Sequence, residues 1–239
     1  MKKIGLIGGM SWESTQEYYR LLNQGVQKKL GGLHSCPCII ESVDFDEIAA
    51  LQHANDWEAL NVRMSEIAVQ LEQAGAELII LCTNTMHLCF DAIESAVAAP
   101  VIHIADAAGE QLKADGVHKV LLLGTQFTME KDFYRERLRN RFDIEVVVPG
   151  DDDRQIIHQV IYDELVKGVF SDDSRKQYVT IIDKAIKEHE VEGVILGCTE
   201  IPLLVRPSDV AIPTYDTTQL HALAALKQSL SSESEPILI

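Results

Sequence analysis

No run of about 18 apolar residues, the length a membrane-spanning helix needs, occurs in the 239-residue chain, so no membrane is expected as a partner. Positive charge is scarce as well: 21 Lys and Arg stand against 37 Asp and Glu, for a formal net charge of −16. A nucleic-acid-binding face gathers Lys and Arg on one side, so the expectation is no nucleic acid. Lys2 and Lys3 lead at once into a strand and glycines rather than into the apolar stretch of a secretion signal. Five cysteines is an odd number, and free thiols in a reducing cytoplasm are the expectation. The Gly-x-Gly-x-x-Gly spacing is missing and no Gly-Lys-Ser/Thr follows the first glycine turn, which removes dinucleotide and P-loop sites. His34, Cys36 and Cys38 lack a second cluster to complete a four-ligand metal site, and Asp151-Asp152-Asp153 has no partners, so no metal is expected.

What is present is an apolar content of 46%, enough for one core or two smaller ones. The rest is organised around one stretch near the end. Gly193 to Gly197 reads as a buried parallel strand, and Pro202 stands where a new helix could begin. Cys198 then falls at the carboxyl end of a strand, the edge at which open α/β sheets bind ligands. A helix start beside it would favour the thiolate, whereas a buried, inert cysteine is the alternative reading. A second stretch, Leu78 to His87, is its partner: laid over the first, Leu81 falls on Leu196, Cys82 on Gly197 and Thr83 on Cys198, 115 residues apart. Lys3 to Gly9 likewise matches Lys119 to Thr125 at an offset of 116. Recurrence at one spacing suggests duplicated α/β halves, each delivering one reactive side chain to a shared cleft. Chance likeness of two α/β halves is the competing account. Cys82 competes with its neighbour Thr83, but the overlay on Gly197 points its side chain away.

In chain order, the pattern predicts a strand over 4–7 and a helix opened by Ser14 and Glu17 as a capping box and stopped at Gly31-Gly32. The turn Gly8-Gly9-Met10 could hold a carboxylate on its backbone N–H groups, or its glycines could serve packing alone. A strand over 36–43 follows, then an amphipathic helix over 57–74 with Leu60, Met64, Ile67, Leu71 and Ala74 on one face and Gly75 at its end. Strands over 77–82 and 100–104 and a helix over 106–112 complete the first half. The second half reads as a strand over 120–123, one helix over 127–142, a strand over 145–148, helices around 155–166 and 174–189, and the Cys198 strand. A helix over 218–230 is expected to return to the first domain, so the domains are read as 1–102 plus 213–239 and 103–212. The tail over 231–236 has the composition of a disordered segment.

Thr83-Asn84-Thr85 and Gly197-Cys198-Thr199-Glu200 resemble the paired Cys-Asn-Thr and Gly-Cys-Thr motifs of the aspartate/glutamate racemase superfamily, with threonine in place of the first cysteine. Gly8 to Thr15 and Gly124 to Met129 are similar to that family's loops, and the resemblance covers essentially the whole chain. It is nearest to the branch of L-aspartate/glutamate-specific racemases that carries this threonine. The resemblance implies two similar flavodoxin-like domains with parallel sheets, related by a pseudo-twofold axis, with the active site in the cleft. It implies no cofactor, a small-molecule amino-acid substrate as partner and a cytoplasmic enzyme; a homodimer is left open.

Inverting an α-amino acid takes a proton from one face of Cα and returns one to the other, and two acid/base groups on opposite walls do this unaided. A thiol suits the task, whereas a threonine hydroxyl is a poor proton abstractor that can still deliver or relay a proton. Cys198 is therefore read as the base acting on the L-amino acid and Thr83 as the group on the far face. Asn84, Thr85, Thr125, Thr128 and Thr199 are the residue types that would stabilise the substrate carboxylate. By resemblance, Lys167, Gln52 and Met10 are substrate contacts, with an exposed surface role as the alternative for each. Glu200 would bind the substrate ammonium or cap the next helix, and His87 would orient the Thr83 turn or serve structure. Other readings are a one-cysteine decarboxylase or cis-trans isomerase of the same superfamily, a broad-specificity amino-acid racemase, and a weakly catalytic amino-acid-binding protein.

Overall fold

The computed structural model describes residues 1–231. The tail read as disordered, apart from Ser231, lies outside the described residues. The short apolar runs bounded by glycine become strands of two parallel four-stranded sheets. The first holds β1 (Ile4–Gly8), β2 (Cys38–Ser42), β3 (Leu78–Leu81) and β4 (Val101–Ile102) in the order β2-β1-β3-β4. The second holds β5 (Lys119–Gly124), β6 (Glu145–Val147), β7 (Gly193–Gly197) and β8 (Thr214–Asp216) in the order β6-β5-β7-β8. The strand order is the same in both halves, which is the expected α/β repeat.

In the second sheet the core is split by strand alternation. Leu121, Leu123, Val194 and Leu196 pack with Ile157, Ile161, Tyr178 and Ile182 on one face. Val120, Leu122 and Ile195 pack with Tyr134 and Leu138 on the other. A sheet covered on both faces demands apolar side chains at successive positions, which is why β5 and β7 show no polar alternation. The first unit buries Ile4, Leu6, Leu78, Ile80 and Cys82 against Tyr18, Leu22 and Val26.

Three local expectations change. The first helix is Trp12–Leu30, capped by Ser11, whose hydroxyl accepts from Ser14 N–H at 3.3 Å. Ser14 is therefore inside the helix and donates its own hydroxyl to the Cys82 carbonyl at 3.0 Å. The helix expected over 127–142 is two, Gln126–Glu130 and Asp132–Phe142, broken at Lys131 by an extended backbone (φ −79°, ψ 144°). The third concerns the crossover. Thr214–Asp216 pair with Val194–Leu196 as the edge strand of the second sheet, so the chain leaves that sheet later than 213. The helix Thr217–Leu230 then joins the first unit from His221 onward. There His221 meets the Tyr18 hydroxyl at 2.8 Å and the Ile102 carbonyl at 3.0 Å, and Ala222, Ala225 and Leu226 enter the first core. The short segment Thr83–His87, just after β3, belongs to the second compact unit together with Ile104–Leu220.

Candidate active site

The second unit ends two neighbouring strands in glycine. Gly124 pairs with Gly197, and a Cβ on Gly197 would stand 2.7 Å from the Leu123 carbonyl oxygen, closer than Cβ atoms come. A Cβ on Gly124 would stand 2.9 Å from the Gly197 oxygen. Only glycine lets β5 and β7 remain this close at their carboxyl ends, and Cys198 is the first residue beyond that edge.

The Cys198 thiol is partly buried and donates to Glu200 Oε2 at 3.0 Å, with Glu200 only 7% exposed. Burial, and then the Glu200 carboxylate, push the thiol well above the ordinary cysteine range; backbone N–H groups of Glu200 and Thr199 on the sulfur pull the other way and lose. This corrects the expectation of a thiolate stabilised by a helix start. The following helix, Ile201–Leu204, is a single turn, and Glu200 makes no side-chain cap to it, so the capping role falls too. Tyr162 and Tyr178 lie near Cys198: burial first, and then the neighbouring Cys198, raise both phenols, with Glu200 adding to Tyr162 and Glu164 to Tyr178.

The turn after β3 is fixed by partners in its own unit. His87 Nε2 accepts the Ile104 N–H at 3.1 Å, so its proton is on Nδ1 and is donated to the Thr83 carbonyl at 2.8 Å. Thr83 itself is partly exposed. Asn84 is 4% exposed, and its Nδ2 donates to Thr217 Oγ1 at 3.1 Å, which donates to the Leu196 carbonyl at 3.0 Å. A carbonyl can only accept, so the direction of this chain sets the Asn84 amide and leaves Oδ1 a buried acceptor with no partner among the described residues. Thr85 Oγ1 lies 3.0 Å from Thr125 Oγ1, which lies 3.2 Å from Thr128 Oγ1. The structure thus brings Thr83, Asn84, Thr85, Thr125, Thr128, Cys198, Thr199 and Glu200 into one unit.

Met10 and Gln52 belong to the first unit, each 5% exposed. Lys167 ends the short turn Leu165–Lys167; its side chain is 62% exposed and its ammonium lies 3.7 Å from Asp163. Cys82 is fully buried in the first core, and burial drives its thiol far up, which removes it as a reactive group. Among the described residues no group of three or more His, Cys, Asp or Glu is placed to hold a metal ion, and no helix is long and apolar enough to cross a membrane. Thr217 and Tyr162 escaped the reading of the sequence. Thr217 stands just after β8, at the same sheet edge as Cys198, but β8 is too short to be read from the sequence, and Tyr162 had no signal either.

Comparison with known proteins gives one answer. A family model described as Asp/Glu/Hydantoin racemase matches residues 7–225. A Yersinia pestis crystal structure of a candidate Asp/Glu racemase is 50% identical, covers 97% of this chain and 100% of its own, and superposes with a TM-score of 0.91. An aspartate racemase homologue from Pyrococcus horikoshii OT3 is 37% identical with the same coverage and a TM-score of 0.85. A broad specificity amino-acid racemase of Bacillus subtilis (strain 168) is 22% identical over 97% of this chain and all of its own length.

Proposed function

The chain belongs to the Asp/Glu/Hydantoin racemase family, and from that premise we propose that it racemises L-aspartate or L-glutamate without a cofactor, with Cys198 as base on one face of Cα and Thr83 on the other. The observation that carries this reading is the Asn84–Thr217–Leu196 chain. It ties the turn bearing Thr83 to the strand that ends one residue before Cys198, within one compact unit. A substrate Cα held beside the two side chains meets a sulfur and an alcohol, and the buried Asn84 Oδ1 offers an acceptor to the substrate ammonium. The hydroxyls of Thr85, Thr125 and Thr128 supply donors for the carboxylate, where charge develops as the proton leaves.

Because a threonine hydroxyl abstracts protons poorly at neutral pH, the activity is lopsided, faster from the L than from the D enantiomer. Met10, Gln52 and Lys167 are the proposed contacts to the substrate side chain. Lys167 is the cation among them, and an acidic substrate approaching so acidic a protein needs local positive charge. A wider range of amino acids is the second reading, favoured by the Bacillus subtilis relative. The test is incubation with each L- and D-amino acid in deuterated water while following the α-proton. Exchange of L-aspartate or L-glutamate that vanishes in Cys198→Ser supports the assignment. Exchange unaffected by that substitution, or release of carbon dioxide in place of exchange, overturns it.

A further inference from the structure

Resting on the reading above and deepening it, we propose that His158 is a positioning residue for the substrate carboxylate, fixing the Thr125 turn by accepting the backbone N–H that follows it. The helix Asp151–Asp163 carries Arg154, His158 and Tyr162 at intervals of four, on one face. That face grips the short helix Gln126–Glu130 at both ends. Arg154 Nε lies 3.4 Å from Glu130, its last residue, and His158 Nδ1 accepts the N–H of Gln126, its first, at 3.2 Å. The His158 ring also packs on Tyr162, with ring centroids 4.7 Å apart, and Tyr162 lies near Cys198.

The accepted N–H belongs to the peptide joining Thr125 to Gln126, so the bond fixes the plane on which the Thr125 side chain is mounted. Thr125 has an extended backbone (φ −63°, ψ 161°), and its hydroxyl takes the Thr128 N–H at 3.3 Å. The same oxygen lies 3.0 Å from Thr85 Oγ1 and 3.2 Å from Thr128 Oγ1. Those three hydroxyls are the donors proposed for the carboxylate, and a rotation of this peptide would disperse them. A helix this short closes few hydrogen bonds of its own, so its direction depends on what is packed against it. Only a ring nitrogen without a proton can accept, so His158 acts here as the neutral imidazole protonated on Nε2.

His158→Phe removes the acceptor and keeps a flat ring against Tyr162. Gln126 is exposed, so water takes over its N–H and the melting temperature should move little. What goes is the direction of the turn. Exchange of the L-aspartate α-proton should lose about tenfold or more in kcat, with KM changed by less, because the charge those hydroxyls meet grows as the proton leaves. His158→Asn, whose Oδ1 accepts from nearly the place of Nδ1, should keep about half or more of the wild-type kcat. A residue that merely fills space predicts the reverse order, since Phe matches the ring better than Asn. Wild-type kcat in His158→Phe, a loss confined to KM, or an Asn variant no better than Phe overturns the positioning role, while the racemase reading stands so long as Cys198→Ser abolishes exchange. If His158→Phe fails to fold, His158→Asn decides alone, and falling short of its expected rate overturns the proposal. Absence of exchange in the wild type would overturn the racemase reading, and this one with it.

Discussion

Asn84 donates to Thr217 at 3.1 Å across 133 residues of sequence, and Thr217 passes the bond on to the backbone of the strand that ends beside Cys198. The side chain that orients the first motif is therefore anchored on the strand that delivers the second. Nothing in either motif alone encodes that link.

Thr217→Val removes the middle of the chain with little change in volume. Asn84 Nδ2 and the Leu196 carbonyl are then left in the interior without this partner, at a cost of about 1–3 kcal/mol. Urea unfolding should show the loss as a lower midpoint, and KM for L-aspartate should rise as the Asn84 amide loses its fixed direction. A variant with midpoint and KM both at wild-type values would refute the anchoring role.

Gly197→Ala places a methyl 2.7 Å from the Leu123 oxygen, a backbone atom that cannot swing aside. The strands must separate at the edge that carries Cys198. A loss of kcat of about 100-fold, the scale on which a misplacement of about 1 Å acts, is the expected outcome, together with a lower melting temperature. Gly31→Ala is the control, since a methyl there meets nothing within 4 Å, and its cost is confined to backbone strain at φ 72°.

Thr83→Cys supplies a second group able to abstract a proton. The rate from the D-amino acid should rise by about tenfold or more, while the rate from the L enantiomer changes little. Initial rates from each enantiomer decide it. A D-direction rate as slow as before would show that Thr83 does not face the substrate carbon.

Alkaline pH should destabilise the fold through its thiols. Burial pushes Cys36 up to about 11 and Cys89 up to about 12. In the unfolded chain these thiols ionise near ~8.5, so their stability contribution is whole below that pH and is lost as pH climbs towards those folded values. The slope approaches ~1.4 kcal/mol per pH unit for a thiol fully held from water, and Cys36 falls short of it because its burial is the lesser of the two. Urea midpoints measured in reducing buffer between about pH 8 and 10.5 should decline, and Cys89→Ala should flatten the decline. A flat profile in the wild type would contradict it.

Much of the fold was legible because it rests on local rules. The strands Ile4–Gly8, Leu78–Leu81, Lys119–Gly124 and Gly193–Gly197 announce themselves as apolar runs closed by turns, and their spacing exposes the repeat. The helix Trp57–Gln73 carries its own period and its stop at Gly75, whose φ is 92°. The choice of Ser11 over Ser14 as cap was less legible, since both residues suit the position and only the reach of Ser14 to the Cys82 carbonyl separates them. The break at Lys131 has no breaker residue at all, and β8 is too short to signal a strand by composition.

Sequence alone determined that this is a duplicated α/β chain with Thr83 and Cys198 at equivalent turns, because strand edges and glycine turns are written in neighbouring residues. Only the tertiary structure decided the chemical character of those turns. Whether Cys198 is charged depends on how much water reaches it and on the carboxylate placed against its sulfur; whether Asn84 presents an oxygen or a nitrogen depends on Thr217. Both are through-space effects, and the residues that produce them carry no local mark of doing so.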